Sequence, residues 1–197
     1  VLMGQKRFAE ARRLWVDLAQ SYNPVVRGAA NERLSRIYRE GLGVKANPRR
    51  AEKYYRAALE MRNPEALCRQ GRDLIVAGKS AEAVPILERA GDLTGEALFL
   101  LGSIRMSGQG VPKDVATGLK NYRQAAQLGH LNAKYMLAVA TLKDVPDAPT
   151  LDEAARLLEE AEAAGFAKAA ELRPTVESRR AKAAQSVSSD VGRSGSG

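Results

Sequence analysis

The chain has 197 residues, 45% of them hydrophobic, enough to bury a core in one long domain or two short ones. Lys and Arg number 31 against 23 Asp and Glu, a net charge of +8 whose excess lies in residues 1–80. The single cysteine, Cys68, excludes an intramolecular disulfide framework and a cysteine zinc site, and the single histidine, His130, excludes a histidine-rich metal site. No apolar run approaches the roughly 18 residues of a membrane-spanning helix. The chain opens on Val1 rather than methionine and has no leader pattern, as expected of a piece of a longer protein.

In chain order, Arg7–Gln20 sets Phe8, Ala11, Leu14, Trp15 and Leu18 on one helical face and reads as an incomplete hairpin. Asn23-Pro24, Asn47-Pro48 and Asn63-Pro64 each place a capping side chain before a proline at the first helical position. Helices follow with Leu34, Ile37 and Tyr38 on one face, then Tyr55, Ala58 and Leu59. Glu65–Ala90 reads as a shorter hairpin turning at Gly78-Lys79-Ser80, with Ser80 as a cap. Pro85, about one turn inside, predicts a kink or a delayed start. Leu98, Leu101 and Ile104 define the next helix. Asn132–Ala164 forms a last hairpin around the loop Asp144–Thr150, where Thr150 can cap. After Arg173-Pro174 the pattern ends: Thr175–Gln185 reads as a short charged helix and Ser186–Gly197 as a polar tail.

One repeat organises these elements. Gly28–Val44 (GAANERLSRIYREGLGV) returns without a gap as Gly95–Val111 (GEALFLLGSIRMSGQGV), 67 residues later. The offset pairs Ala30 with Ala97, Leu34 with Leu101, Gly41 with Gly108 and Gly43 with Gly110, and continues through Tyr55 with Tyr122. That period is too long for one hairpin, so each holds two. The paired glycines permit left-handed backbone between helices, and the alanines let neighbouring helices approach closely. Each hairpin leaves one face unburied, so stacking follows.

The stretch Gly108–His130, GQGVPKDVATGLKNYRQAAQLGH, resembles the Sel1-like repeat, a relative of the tetratricopeptide repeat. A second copy ends in GLGVKANPRRAEKYYRAALEMRN at Asn63; the copies depart from the family pattern at Arg62 and Gly118. The resemblance covers about Arg7 to Ala170. It implies an all-α fold, a right-handed α-solenoid of stacked helical hairpins over residues 1–173, part of a longer array, followed by a charged and then Ser/Gly-rich tail at 174–197. It also implies a concave groove lined by the first helices of the hairpins.

The residues themselves argue against catalysis. There is no SxxK, no Walker loop, no GxGxxG, and no nucleophile set that the lone His130 could serve. The chain is expected to be no enzyme and to use no cofactor or metal. His130 stands where the first copy has Asn63, and is expected to cap or to make a solvent contact. Cys68 reads as a small buried hydrophobe; the alternative is a thiol activated by Arg69 and Arg72.

Tetratricopeptide-like inward positions give Glu32, Arg36 and Arg39, then Cys68, Arg72 and Ile75, then Phe99, Ser103 and Met106, and finally Tyr135, Val139 and Leu142. The expected partner-binding set is Arg36, Arg39, Arg72, Phe99, Ser103, Met106 and Tyr135. It turns from basic to apolar and suits a protein segment with an acidic end and a hydrophobic end. Ion pairs of Glu40 and Glu52 with neighbouring arginines would spread the charge. An acidic protein surface or an anionic polysaccharide fits the basic half equally. Nucleic acid does not, because aromatic residues do not interleave with the patch.

The family resemblance further implies roles such as bacterial envelope scaffolds, including a lipoprotein of alginate secretion, host-interaction factors and adaptors of endoplasmic-reticulum degradation. The Ala/Arg-rich repertoire suits a high-GC bacterium. The expectation is therefore a periplasmic or outer-membrane-associated scaffold of a secretion complex. A cytoplasmic adaptor or chaperone binding a peptide, and an acidic-polysaccharide-binding surface, are the alternatives.

Overall fold

Asparagine decides where three of the helices begin. Asn23 Oδ1 accepts from the Val25 and Val26 N–H groups, Asn47 Oδ1 from Arg50 N–H, and Asn63 Oδ1 from Ala66 N–H at 3.0 Å, each just ahead of a proline. A side-chain acceptor there satisfies N–H groups that have no partner inside the helix. Asp114, His130 and Thr150 do the same through Thr117, Ala133 and Glu153.

The computed structural model describes residues 8–91, 94–145 and 147–194, with the side chains of 186–194 excepted. Arg7, where the first helix was expected to open, and residues 195–197 of the expected tail lie outside them. Among the described residues there are ten helices and no strand: α1 (Phe8–Leu18), α2 (Pro24–Glu40), α3 (Pro48–Glu60), α4 (Pro64–Val76), α5 (Ser80–Ala90), α6 (Gly95–Ser107), α7 (Val115–Gln127), α8 (Leu131–Leu142), α9 (Leu151–Ala163) and α10 (Ala167–Ser194). None of them is long and apolar enough to cross a membrane. The chain divides into two compact units, Val1–Ala97 and Leu98–Gly197.

In unit 1, α2 and α3 pack Ala30, Leu34 and Tyr38 against Ala51, and Trp15 of α1 and Ala19 just after it join them. The next pair, α4 and α5, meets so closely at Gly71 that a Cβ there would lie 2.5 Å from Leu87 Cδ2. Leu67, Cys68, Ala90 and Ala97 complete that core. In unit 2, Leu98 of α6 joins Leu119, Tyr122 and Ala125 of α7 and Leu137 of α8. A second cluster joins Ala138, Ala154, Leu158, Ala169 and Val176. Each unit is hairpin packed on hairpin, and the architecture is the all-α solenoid that the repeat implied. The turns use left-handed backbone at the paired glycines: Gly41 and Gly108 both have φ of +71°.

Four local expectations change. Leu14 and Leu18 are 49% and 40% exposed, because only Ala11, Trp15 and Ala19 of the first segment turn towards α2. Ser80 does not cap; it is buried as the first residue of α5, behind Lys79, which makes no side-chain cap. Pro85 neither delays nor ends α5. The carbonyl that loses its helical partner is that of exposed Ala81, which water can serve. The break expected after Arg173-Pro174 is absent: α10 runs through the proline to Ser194, so the short helix expected at Thr175–Gln185 is part of it and residues 186–194 of the expected tail are helical. Beyond the proline, Val176 is fully buried, and Arg179 donates to Leu142 O and to Asp144 at 2.6 Å, so tertiary contacts hold the continuation.

Candidate protein-binding face

The basic part of the expected set lies on α2 and α4 of unit 1. Arg36 and Arg39 are exposed one turn apart on α2 and share one carboxylate. Arg36 Nε lies 3.2 Å from both oxygens of Glu40, and Arg39 Nη2 lies 3.3 Å from one of them. Arg72 Nη2 lies 2.6 Å from Glu96 Oε1. Arg56 pairs with Glu52, so both ion-pair expectations hold. Exposed pairs of this kind contribute about 0–1 kcal/mol, so a partner's carboxylates can replace them at little cost.

The sequence reading named Arg69 only as a possible activator of Cys68 and left it out of the binding set. Its guanidinium carbon lies 3.3 Å from the centre of the Tyr55 ring, and its Nη1 donates to Ser35 Oγ at 3.2 Å. Among the described residues it has no carboxylate partner. Burial pushes the Tyr55 phenol upward and Arg69 opposes that shift, while the Tyr55 hydroxyl donates to Ala66 O. A guanidinium held flat on a ring is preorganised. It sits one turn from Arg72 on α4 and bonds the residue next to Arg36 on α2. The available signal was the repeated Tyr55 itself: a tyrosine on α3 meets what the next helix, α4, offers one turn in.

The apolar part of the set lies in unit 2, and packing employs much of it. Phe99 stacks against Tyr122 at 5.6 Å and against His130 at 4.7 Å between ring centres. Ser103 Oγ donates to Phe99 O and meets the Tyr122 hydroxyl at 3.1 Å. Met106 fills the space beside Gly118, where a Cβ would lie 2.7 Å from its Cγ. Tyr135 meets Phe166 edge to face. All four are half-buried.

Cys68 is 2% exposed, with Sγ 3.4 Å from Thr94 Oγ1. Burial pushes its thiol up, outweighing that hydrogen bond and the charge of Arg72, so it is a packed hydrophobe and not an activated nucleophile. His130 caps α8, its Nδ1 accepting from Ala133 N–H at 3.3 Å.

The Sel1 repeat family matches residues 28–63 and 95–130. No curated protein matches the sequence. Among solved structures, the chain is similar to a Sel1 repeat protein from Oxalobacter formigenes, with 26% identity, a TM-score of 0.68, and coverage of 81% of this chain and 66% of that one. It is also similar to c5321, a protective antigen present in uropathogenic Escherichia coli strains, with 20% identity, a TM-score of 0.68, and coverage of 87% and 37%. The immunity protein Pa5087 from Pseudomonas aeruginosa gives 22% identity, a TM-score of 0.53, and coverage of 86% and 74%. The chain thus spans less than two thirds of the first two structures. Sel1 repeats are generally protein-interaction scaffolds, typically without catalytic activity. The paired glycine turns and these matches agree: the chain carries two Sel1 repeats and has the fold of the Sel1-like repeat proteins.

Proposed function

We propose that the chain is a binding scaffold whose α2–α4 face in unit 1 takes an acidic segment of a protein partner. The observation that carries this reading is Arg69, a guanidinium fixed on Tyr55 without a carboxylate among the described residues. Arg36 and Arg39 follow its acceptor Ser35 on α2 and Arg72 stands one turn along α4, each bound only through an exposed ion pair. Together they offer a partner bidentate donors whose present bonds are weak. Phe99, Met106 and Tyr135 extend the proposal to apolar anchors on unit 2, through the surface that packing leaves them.

The test measures binding of a fluorescent polyglutamate peptide by anisotropy. Arg69→Met, and Arg36→Glu combined with Arg72→Glu, are each expected to weaken binding by about tenfold or more, a loss of about 1.4 kcal/mol. Raising salt weakens it further. Equal binding by all variants rejects this face. A polyuronate is the second probe: retention of polyuronate and not of peptide would move the reading to an acidic polysaccharide.

The place of such a scaffold in a bacterial envelope or secretion assembly is a further proposal. It rests on the family resemblance, and fractionation of cells expressing the full-length gene tests it: recovery only in the cytoplasm rejects it.

A further inference from the structure

The offset that repeats the sequence also lays a junction of unit 1 on a junction of unit 2, and the two are built differently. In unit 1, Leu59 of α3, Leu67 of α4 and Ile86 of α5 close the junction with apolar side chains. In unit 2 the same register puts Ala126 in place of Leu59 and Lys134 in place of Leu67. One large side chain is cut back and the other becomes a cation.

The result is a half-enclosed cleft of about 260 Å³ between α7, α8 and α9, with buried Leu137 and Leu157 among its walls. Lys134 is sunk into it, its side chain only 12% exposed, with Nζ 2.6 Å from Glu160 Oε2. The other Glu160 oxygen takes Arg156 Nη1 at 2.6 Å. A half-buried ion pair is weak evidence for stability where the same chain packs leucine elsewhere, so this one calls for another explanation.

Two unlike charges in the cleft lack a charged partner among the described residues. Arg123 donates Nη2 only to the neutral carbonyl of Asp147. Glu153 contributes its backbone N–H to the Thr150 cap, and its carboxylate pairs with nothing. Arg123 and Glu153 line one cleft without pairing with each other.

We propose that this cleft binds a free aliphatic α-amino acid. Its carboxylate pairs with Arg123 and the free donors of Arg156, its ammonium pairs with Glu153, and its side chain lies against Leu137 and Leu157. A zwitterion answers both unpaired charges without adding net charge. A cleft smaller than the roughly 300–1,000 Å³ of ordinary ligand pockets selects a guest of that size.

The experiment is a nitrogen–proton NMR titration of the whole chain with leucine, acetate and N-acetyl-leucinamide. Leucine is expected to shift the Gly129 and Leu137 amides and the Arg123 side chain. Acetate shifts them less, and the uncharged amide does not shift them. Arg123→Gln weakens leucine binding by about tenfold or more. Ala126→Leu with Lys134→Leu rebuilds the apolar junction of unit 1 and abolishes the shifts while the helical signal stays. Absence of leucine shifts at tens of millimolar overturns the proposal. So do equal shifts with N-acetyl-leucinamide, shifts with acetate as strong as with leucine, or shifts that survive in Arg123→Gln. The last criterion holds even if the double variant fails to fold.

Discussion

Arg69, Cys68 and Asn63 sit within seven residues of one another, and surroundings give each a different task. Arg69 lies on an aromatic ring with donors to spare; Cys68, one residue earlier, is sealed in an apolar cluster. Native Cys68 is therefore expected to react with a thiol probe at least about tenfold more slowly than in the urea-unfolded chain, because burial both blocks access and disfavours the thiolate. Equal rates in a labelling time course would contradict this. Asn63 is buried as well as capping, so Asn63→Ala should cost about 1–2 kcal/mol in urea unfolding. Gly102 tests close approach in the same way. A Cβ there would lie 2.7 Å from the Tyr122 ring and 3.1 Å from Gly118 O, so Gly102→Ala should cost about 1–3 kcal/mol by the same measurement.

At the scale of elements, the two terminal helices depart most from the periodic pattern. Leu14 and Leu18 of α1 occupy the register of Tyr54 and Ala58 in α3, counting back from the Asn-Pro pairs. Tyr54 stacks on Tyr38 and Ala58 is fully buried, whereas Leu14 and Leu18 are largely exposed. Leu14→Gln is thus expected to change stability by no more than about 0.5 kcal/mol. Leu34→Ala, in the core of α2, should cost about 2–5 kcal/mol; thermal unfolding of the two variants compares them. Helix α10 shows the opposite departure, since it persists where proline should end it. Its anchor is Arg179, which reaches back to Leu142 O and Asp144. Arg179→Ala should speed amide exchange over residues 174–185 and leave unit 1 unchanged.

For the molecule as a whole, acid is the revealing variable. Glu160, hydrogen-bonded by Lys134 and attracted also by Arg156, is held below its ordinary value of 4.5. Asp114, hydrogen-bonded at the Thr117 end of α7, is held below 3.8. Groups with lowered values bind fewer protons folded than unfolded. The stability they contribute is present above their ordinary values and is lost as pH falls through the lower folded ones. The melting temperature should therefore fall as pH drops below about 4.5, and Glu160→Gln should flatten part of that fall. A melting temperature that rises on acidification would contradict both assignments. Glu40 of unit 1, beside Arg36 and Arg39, is likewise held below 4.5, so both units should lose stability on acidification.

The division between what sequence reasoning reached and what it missed follows the range of the forces involved. Helix starts at Asn23, Asn47 and Asn63, left-handed turns at Gly41 and Gly108, and the 67-residue echo were all legible, because caps and turns act within about four residues and the repeat presents each packing solution twice. The burial of Cys68 and the cap at His130 were each one of two readings that the sequence allowed, and the structure decided between them. Which cations find a partner on another helix was not legible. Arg72 meets Glu96, Lys134 meets Glu160, and Arg69 meets Ser35, contacts 24 to 34 residues apart that spacing along one helix cannot reveal. Composition and periodicity thus determined an all-α stack of hairpins with a basic first half. Only the tertiary structure decided where a charge stands without a partner, because compensation depends on which helix folds back beside it.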